Sequence, residues 1–114
     1  MAAVIRVEAI WLAVDAIDMR AGPDVALARV VAVFGAAKPH HAYLFTNRRA
    51  NRLKVFVHDG LGLWLCARRL HQGRFIWPRD AAFSQQALTR PQFDMLVLGL
   101  PWQRISEANV ITMV

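Results

Sequence analysis

Two neighbouring stretches in the middle of the chain alternate between aliphatic and other residues. Aliphatic side chains occupy every second position from Leu53 to Val57, and Leu63 and Leu65 start the same period a few residues later. A period of two is the repeat of a half-buried β-strand, and the Asp- and Gly-containing segment 59–62 is a turn signal. The pattern predicts a β-hairpin, although a helical period fits the second arm as well.

A helical period occurs twice, once on each side of this hairpin. The first run follows Gly22-Pro23 and stops at Gly35, and the second follows Thr89 with Pro91 in its first turn and stops at Gly99. Both runs place apolar residues at i, i+3, i+4 and i+7, which form one face of a helix. The first set is Leu27, Val30, Val31 and Phe34, and the second is Phe93, Leu96, Val97 and Leu100.

Three further segments carry strand signals: 5–14, 74–77 and 84–88. Together the elements predict an α+β fold, in which a small antiparallel sheet of about four to six strands has both amphipathic helices packed on one face. The 114 residues suit a single domain spanning 1–114, with a core at about 5–104 and a flexible tail at 105–114. If the two arms form a hairpin across 59–62, we expect their aliphatic faces to coincide and face the core, and the opposite face then carries Lys54, Phe56, Trp64 and Arg68 together.

The positive charge of the chain is concentrated in its central segment. From Arg48 to Arg79 there are eight cations and one acid, whereas the rest of the chain has six cations and seven acids. Twelve of the fourteen cations are arginine, whose planar guanidinium suits phosphate and carboxylate partners. The charge balance therefore indicates a polyanionic or acidic partner for this one segment.

Other sequence features point to a cytoplasmic protein. The longest apolar runs, such as 95–102, fall well short of the roughly 18 residues that a membrane span needs. Arg6 and Glu8 interrupt the N-terminal apolar segment, so a secretory signal is not expected. Cys66 is the single cysteine and cannot form an internal disulfide, which favours a reducing compartment.

Ten short motifs occur in an order and at spacings that resemble the TnpB-type accessory proteins of the IS66 family of bacterial insertion sequences. In chain order they are Ile10-Trp11-Leu12-Ala13, Asp18-Met19-Arg20, Asn47-Arg48-Arg49, Arg52-Leu53-Lys54, Arg68-Arg69-Leu70, Gly73-Arg74-Phe75, Trp77-Pro78, Leu88-Thr89, Leu98-Gly99 and Trp102. The resemblance extends over roughly residues 9–104.

The resemblance implies a protein encoded beside a separate, larger transposase, which it assists in transposition. It also implies that the transposase is a partner. The chain departs from the family pattern at Val57-His58, where two tryptophans are usual, at Ala50-Asn51, which replaces a Gly-Asp turn, and at Ala21 and Pro23.

Arginines that flank the turns of a small sheet can bind phosphates, and aromatic rings between them can stack on unpaired bases. The predicted nucleic-acid-binding residues are Arg48, Arg49, Arg52, Lys54, Arg68, Arg69 and Arg74, and the predicted stacking or interface residues are Phe56, Trp64 and Trp77. The alternative is that the cations protect strand edges from aggregation and the aromatic rings belong to the core.

The motif Asp18-Met19-Arg20 favours a structural role. An aspartate can cap the following helix, and an arginine can pair with a nearby acid, so neither residue requires a ligand.

Catalysis and cofactors are not expected. Strand transfer requires several carboxylates on divalent metals, and no two of the eight acids have a spacing that indicates a shared metal site. The four histidines and Cys66 lack the paired spacings of a zinc site, and Cys66 fits a small apolar strand residue better than a nucleophile.

The sequence therefore predicts a non-catalytic accessory factor of an insertion sequence, which contacts DNA through an arginine-rich hairpin and has no cofactor. The alternative is a protein-only adapter for the transposase, in which the arginines meet an acidic surface. The sequence leaves the oligomeric state open.

Overall fold

The computed structural model describes residues 6–20, 22–79 and 83–105. Within these residues there are five strands and two helices. They are β1 (Ala9–Ala13), α1 (Pro23–Phe34), β2 (His41–Thr46), β3 (Arg52–His58), β4 (Leu63–Arg69), β5 (Gln85–Leu88) and α2 (Arg90–Leu96). The predicted α+β class is confirmed.

The five strands form one sheet in the order β4-β3-β2-β1-β5. β1 and β2 are parallel neighbours, so α1 is the crossover between them, and every other neighbouring pair is antiparallel. β2 is therefore central, and β4 and β5 are the two edges. The predicted hairpin of β3 and β4 and the predicted edge strand β5 are both present.

The sheet is packed on both of its faces, whereas the sequence predicted both helices on one. One face of the sheet contacts α2 and the segments that flank it, and the other contacts α1. The buried residues of the α2 face include Ile10, Leu12, Leu44, Leu53, Val57, Leu96 and Trp102. Those of the α1 face include Ala26, Val30, Tyr43, Phe45 and Phe56. The helices separate because β2 is apolar on both sides and offers each helix a surface.

The helix ends agree with the signals in the sequence. Pro23 occupies the first turn of α1, and Gly35 closes the helix with a φ of 86°, a left-handed conformation that glycine adopts at little cost. Thr89 caps α2 in a reciprocal capping box with Gln92. α2 is shorter than the predicted helix because Gly99, with a φ of 76°, turns the chain soon after Leu96.

The β3–β4 hairpin turns at the predicted segment 59–62, but the prediction that the aliphatic faces of its two arms coincide is wrong. His58 pairs with Leu63 across a loop of four residues, and each following pair continues that register as far as Arg52 and Arg69. An even loop length pairs odd-numbered positions with even-numbered ones, so Trp64 lies opposite Val57 and Leu65 lies opposite Phe56. The aliphatic faces of the two arms therefore do not coincide, and Lys54 and Phe56 share no face with Trp64 and Arg68.

The segment predicted as a strand at 74–77 is not a strand of the sheet. It makes isolated hydrogen bonds: the Phe75 N–H donates to the Ala50 carbonyl at 2.6 Å, the Trp77 indole N–H donates to the Ala13 carbonyl at 2.9 Å, and the Ile76 carbonyl accepts from the Trp102 indole at 2.7 Å. The segment therefore covers the α2 face of the sheet without joining the sheet. Most of the predicted tail, 106–114, lies outside the described residues. Neither described helix is long and apolar enough to cross a membrane.

Candidate nucleic-acid interface

Arg48 and Arg49 lie at the tip of the turn that joins β2 to β3. The Asn47 side chain organises this turn: its Oδ1 accepts from the backbone N–H of Asn51 and of Arg52, both at 3.1 Å, and its Nδ2 donates to Asn51 Oδ1 at 2.7 Å. An asparagine side chain that accepts hydrogen bonds from the backbone of the following residues stabilises a turn locally. The two arginines are exposed on a well-defined turn.

The same turn is anchored to the core from below. Ala50 is buried and has a φ of 55°, which places it in the left-handed region. Its carbonyl accepts from the Phe75 N–H at 2.6 Å, and the neighbouring Asn51 carbonyl accepts from the Leu70 N–H at 3.1 Å. The turn is therefore held on the side that faces the protein.

Four arginines line a cleft of about 550 Å³ at this end of the sheet. We call this site the arginine cleft; its cations are Arg48, Arg49, Arg52 and Arg69. The other lining residues include Asp18, Met19, Asn47 and Asn51. The arginines meet there because β2 ends, β3 starts and β4 ends at the same end of the sheet.

Two of these arginines face each other directly across the β3–β4 ladder. Arg52 pairs with Arg69, and the adjacent pair is joined by the hydrogen bond from Leu70 to Asn51. Bonded and non-bonded pairs alternate in an antiparallel ladder, so Arg52 and Arg69 form a non-bonded pair, the kind whose side chains lie closest. Like charges directly opposite each other destabilise a sheet. Lys54 follows on the same face, opposite Ala67.

Within the described ranges, the salt bridges join Arg6 to Glu8, Arg20 to Asp18 and Arg90 to Asp94. None of them involves an arginine of the arginine cleft. The cleft thus concentrates guanidinium groups and pairs none of the four with a described acid.

Asp18 is the acid at the rim of the cleft, and Arg20 already neutralises it. The Arg20 side chain donates to both carboxylate oxygens at 2.7–3.2 Å, and the Arg20 N–H donates to Oδ1. Hydrogen bonds from Arg20 lower the pKa of Asp18 to about 2. The predicted pairing of Arg20 with an acid is present, but the N-cap of α1 is Gly22 and not Asp18.

Three of the predicted binding residues do not line this cleft: Lys54, Arg68 and Arg74. Arg68 is on the α2 face, and its Nε donates to the Val97 carbonyl at the end of α2 at 2.7 Å. Arg74 is exposed, and its carbonyl lies beside Gly99. Arg68 still borders a smaller groove with Arg52 and Arg69, whereas Arg74 lines neither.

The predicted stacking residues do not form a platform beside the arginines. Phe56 is fully buried under α1, and Trp77 is 8% exposed with its indole bonded inside the protein, so both are core residues. Trp64 is 47% exposed, but it lies five positions before Arg69 on β4, a distance of roughly 17 Å along the strand. The burial of Phe56 was not predicted from the sequence, because the helix that covers this face of β3 comes from a distant part of the chain.

The opposite end of the sheet uses its polar groups internally. Asp59 Oδ1 accepts from the N–H of Leu61 and of Gly62, and Oδ2 accepts from the Trp64 indole at 2.7 Å. These hydrogen bonds lower the pKa of Asp59. His41 Nδ1 accepts from the Trp11 indole at 3.0 Å, and burial, followed by the Lys38 charge, lowers its pKa.

A comparison with protein families and a search for similar proteins both give matches. The family described as IS66 Orf2 like protein matches residues 8–107. The uncharacterized protein y4hO of Sinorhizobium fredii is 35% identical over 100 residues, which cover 86% of this chain and 85% of the relative. The uncharacterized protein y4jC of the same organism is 30% identical over 105 residues, which cover 89% of this chain and 86% of the relative. No solved structure matches.

Proposed function

This chain belongs to the IS66 Orf2-like protein family, which associates it with the IS66 transposition system, and we propose that it serves that system by contacting nucleic acid through the arginine cleft. Arg48, Arg49, Arg52 and Arg69 bind backbone phosphates in this proposal. The contact is sequence-independent, because phosphate contacts position a protein and do not read bases.

The Arg52–Arg69 pair is the observation that carries the proposal. Two guanidinium groups in a non-bonded cross-strand pair repel each other, and the folded chain gains nothing from that arrangement. A phosphate between or beside them turns the repulsion into two charge-assisted hydrogen bonds. The exposed Arg48 and Arg49 extend the same positive surface onto the turn.

We further propose that the chain is non-catalytic and binds the transposase of the same element. Half of the eight acids have separate structural contacts: Glu8, Asp18 and Asp94 each pair with an arginine, and Asp59 holds its own turn. A strand-transfer site needs carboxylates that converge on metal ions. Cleavage of labelled element ends in Mg²⁺, abolished by one Asp→Asn change, would contradict this part.

The alternative is a protein-only adapter, and one observation favours it. Leu61, Leu63 and Trp64 are exposed at the end of the sheet away from the arginines, with Leu61 fully accessible. Exposed aromatic and aliphatic side chains are typical anchors of protein interfaces. Under this alternative, the arginines contact an acidic protein surface.

Salt dependence of binding tests the nucleic-acid contact. Fluorescence anisotropy with labelled duplex and single-stranded oligonucleotides, at salt from 50 to 200 mM, gives the slope of log affinity against log salt. The Arg48→Ala/Arg49→Ala variant should reduce the magnitude of that slope by about 1.8 on duplex, since each phosphate contact contributes about 0.9. Arg29→Ala/Arg104→Ala is the matched control, because both residues are exposed and outside the arginine cleft.

Equal slopes for the two double variants would contradict the assignment of the cleft. If no oligonucleotide binds at low salt and a pull-down still recovers the transposase, the adapter alternative replaces the nucleic-acid proposal.

A further inference from the structure

β4 is an edge strand that the fold leaves unusually open. Six of its seven residues are exposed, and Leu65 is half-buried. No described strand pairs with its outer edge, and it contains no proline. Natural proteins usually protect such an edge with charges, bulges or a covering segment, because its free N–H and C=O groups accept another strand. Here the only charges are Arg68 and Arg69, both at one end.

The hydrogen-bond pattern defines which groups point outward. At the two ends of the β3–β4 ladder, the backbone N–H of Asp59 donates to the Gly62 carbonyl, and the backbone N–H of Leu70 donates to the Asn51 carbonyl. Since bonded pairs alternate along the ladder, Trp64, Cys66 and Arg68 direct their backbone groups toward β3. The outward N–H and C=O groups therefore belong to Leu63, Leu65, Ala67 and Arg69.

We propose that this edge pairs antiparallel with β4 of a second copy of the chain, centred on Cys66. In that register the outward residues meet only outward residues: Leu63 faces Arg69 of the second copy, and Leu65 faces Ala67. The four resulting pairs satisfy all outward groups of both strands. Registers shifted from this one pair fewer of the seven residues.

The side chains suit this register as well. Trp64 lies opposite Arg68 of the second copy, which allows a cation–π contact, and no arginine opposes another arginine. Cys66 lies opposite Cys66 in a non-bonded pair, with about 4.5 Å between the two Cα atoms, inside the range that a disulfide spans. Crosslinking of the two Cys66 thiols therefore reports on the register of the pair; the proposed native dimer itself needs no covalent bond between its chains.

The formal net charge of +6 on each chain opposes association. Dimerisation should therefore strengthen as salt rises toward 1 M, where the Debye length falls to about 3 Å. Binding to nucleic acid has the opposite salt dependence. The two proposals can consequently fail independently, and the dimer is measured without nucleic acid.

Sedimentation equilibrium over a concentration series at 1 M salt tests the proposal, with Ala67→Pro and Ala67→Thr as a matched pair. Proline removes an outward N–H and leaves the bonds to β3 intact, whereas threonine keeps the donor at the same exposed position. Ala67→Pro should weaken the dimer about 30-fold, because two intermolecular hydrogen bonds are lost by symmetry. Ala67→Thr should dimerise like the wild type. Near-native circular dichroism of both variants establishes that they fold.

Crosslinking with diamide checks the register. The wild-type chain should form a disulfide-linked dimer rapidly through Cys66, and Cys66→Ser/Ala67→Cys should crosslink much more slowly, because its thiol faces Leu65. A wild-type chain that stays monomeric, or thiols that crosslink equally at both positions, would overturn the proposal. A monomer whose binding to the transposase is lost in Ala67→Pro would instead assign the edge to a strand of that protein.

Discussion

The two ends of the sheet handle polar side chains in opposite ways. At the end with the 59–62 turn, Asp59 holds its own loop and the Trp64 indole, and His41 accepts from Trp11. At the other end, the Asn47 side chain organises the turn, and the arginines beside it are exposed with no described acid as a partner. The polar side chains at the 59–62 end form hydrogen bonds within the protein. At the other end, a well-defined turn presents arginines that form no described salt bridge.

This contrast separates structure from function within a small domain. Where a polar side chain is engaged in an internal hydrogen bond, as Asp59 and His41 are, a substitution should change stability alone. Where charged donors have none, a substitution should change binding and leave stability unchanged or improved. The arginine end contains residues that form internal hydrogen bonds next to arginines that form none with a described acid. Substitutions at neighbouring positions there can therefore test whether stability and binding depend on different residues.

The largest expected effect is that of Asn47→Ala. The change removes three hydrogen bonds that define the arginine turn, and we expect a loss of about 2 kcal/mol in the free energy of unfolding, measured by urea denaturation. Arg48→Ala, one residue away, should change that free energy by less than about 0.5 kcal/mol. Equal losses in the two variants would show that the arginines also support the fold.

Adjacent arginines on β4 provide the next test. Arg68→Gln should destabilise the protein by about 1 kcal/mol, because the hydrogen bond to the Val97 carbonyl is lost. Arg69→Gln should stabilise it by about 0.2–1 kcal/mol, because the repulsion from Arg52 is relieved. Oligonucleotide binding should weaken more for Arg69→Gln than for Arg68→Gln. If urea denaturation shows that both variants change the free energy of unfolding in the same direction, the different roles assigned to Arg68 and Arg69 are wrong.

The histidine end should respond to pH. The pKa of His41 is lowered in the folded chain, so the neutral ring is the favoured form, as its role as acceptor for Trp11 requires. Its contribution to stability is complete above the unfolded pKa of about 6.5 and is lost as pH falls through the lower folded pKa. The melting temperature should therefore drop on acidification below pH 6.5, and His41→Gln should flatten that dependence. His71→Gln, at an exposed position, should leave it unchanged.

The smallest effect should come from Ala50→Gly. Glycine relieves the left-handed φ of 55°, worth about 1–2 kcal/mol, but it removes a buried methyl group worth about 0.8 kcal/mol. We expect a net stabilisation of at most about 1 kcal/mol in urea denaturation. Ala50→Val should destabilise clearly, since a β-branched residue is strained at positive φ. A glycine variant less stable than the wild type would mean that packing of the methyl group dominates.

The sequence predicted what depends on neighbouring residues. Proline and glycine at the ends of α1 and Thr89 as the N-cap of α2 determine helix boundaries through local backbone geometry, and those predictions are confirmed. The concentration of charge between Arg48 and Arg79 is likewise a property of the chain itself. The ordered motifs were enough to indicate the family, which the comparison over 8–107 confirms.

Only the tertiary structure decided what shares a face and what is buried. The four-residue loop set the hairpin register, which placed Arg69 opposite Arg52 and moved Trp64 and Arg68 to the other face. Packing of α1 on the Phe56 face then removed a ring that the alternating pattern left exposed. Hydrogen bonds between near neighbours determine where helices and strands begin and end, so the local sequence predicts them. Burial depends instead on which distant segment covers each face of the sheet. When both faces are covered, an alternation of period two does not predict which side chains are exposed.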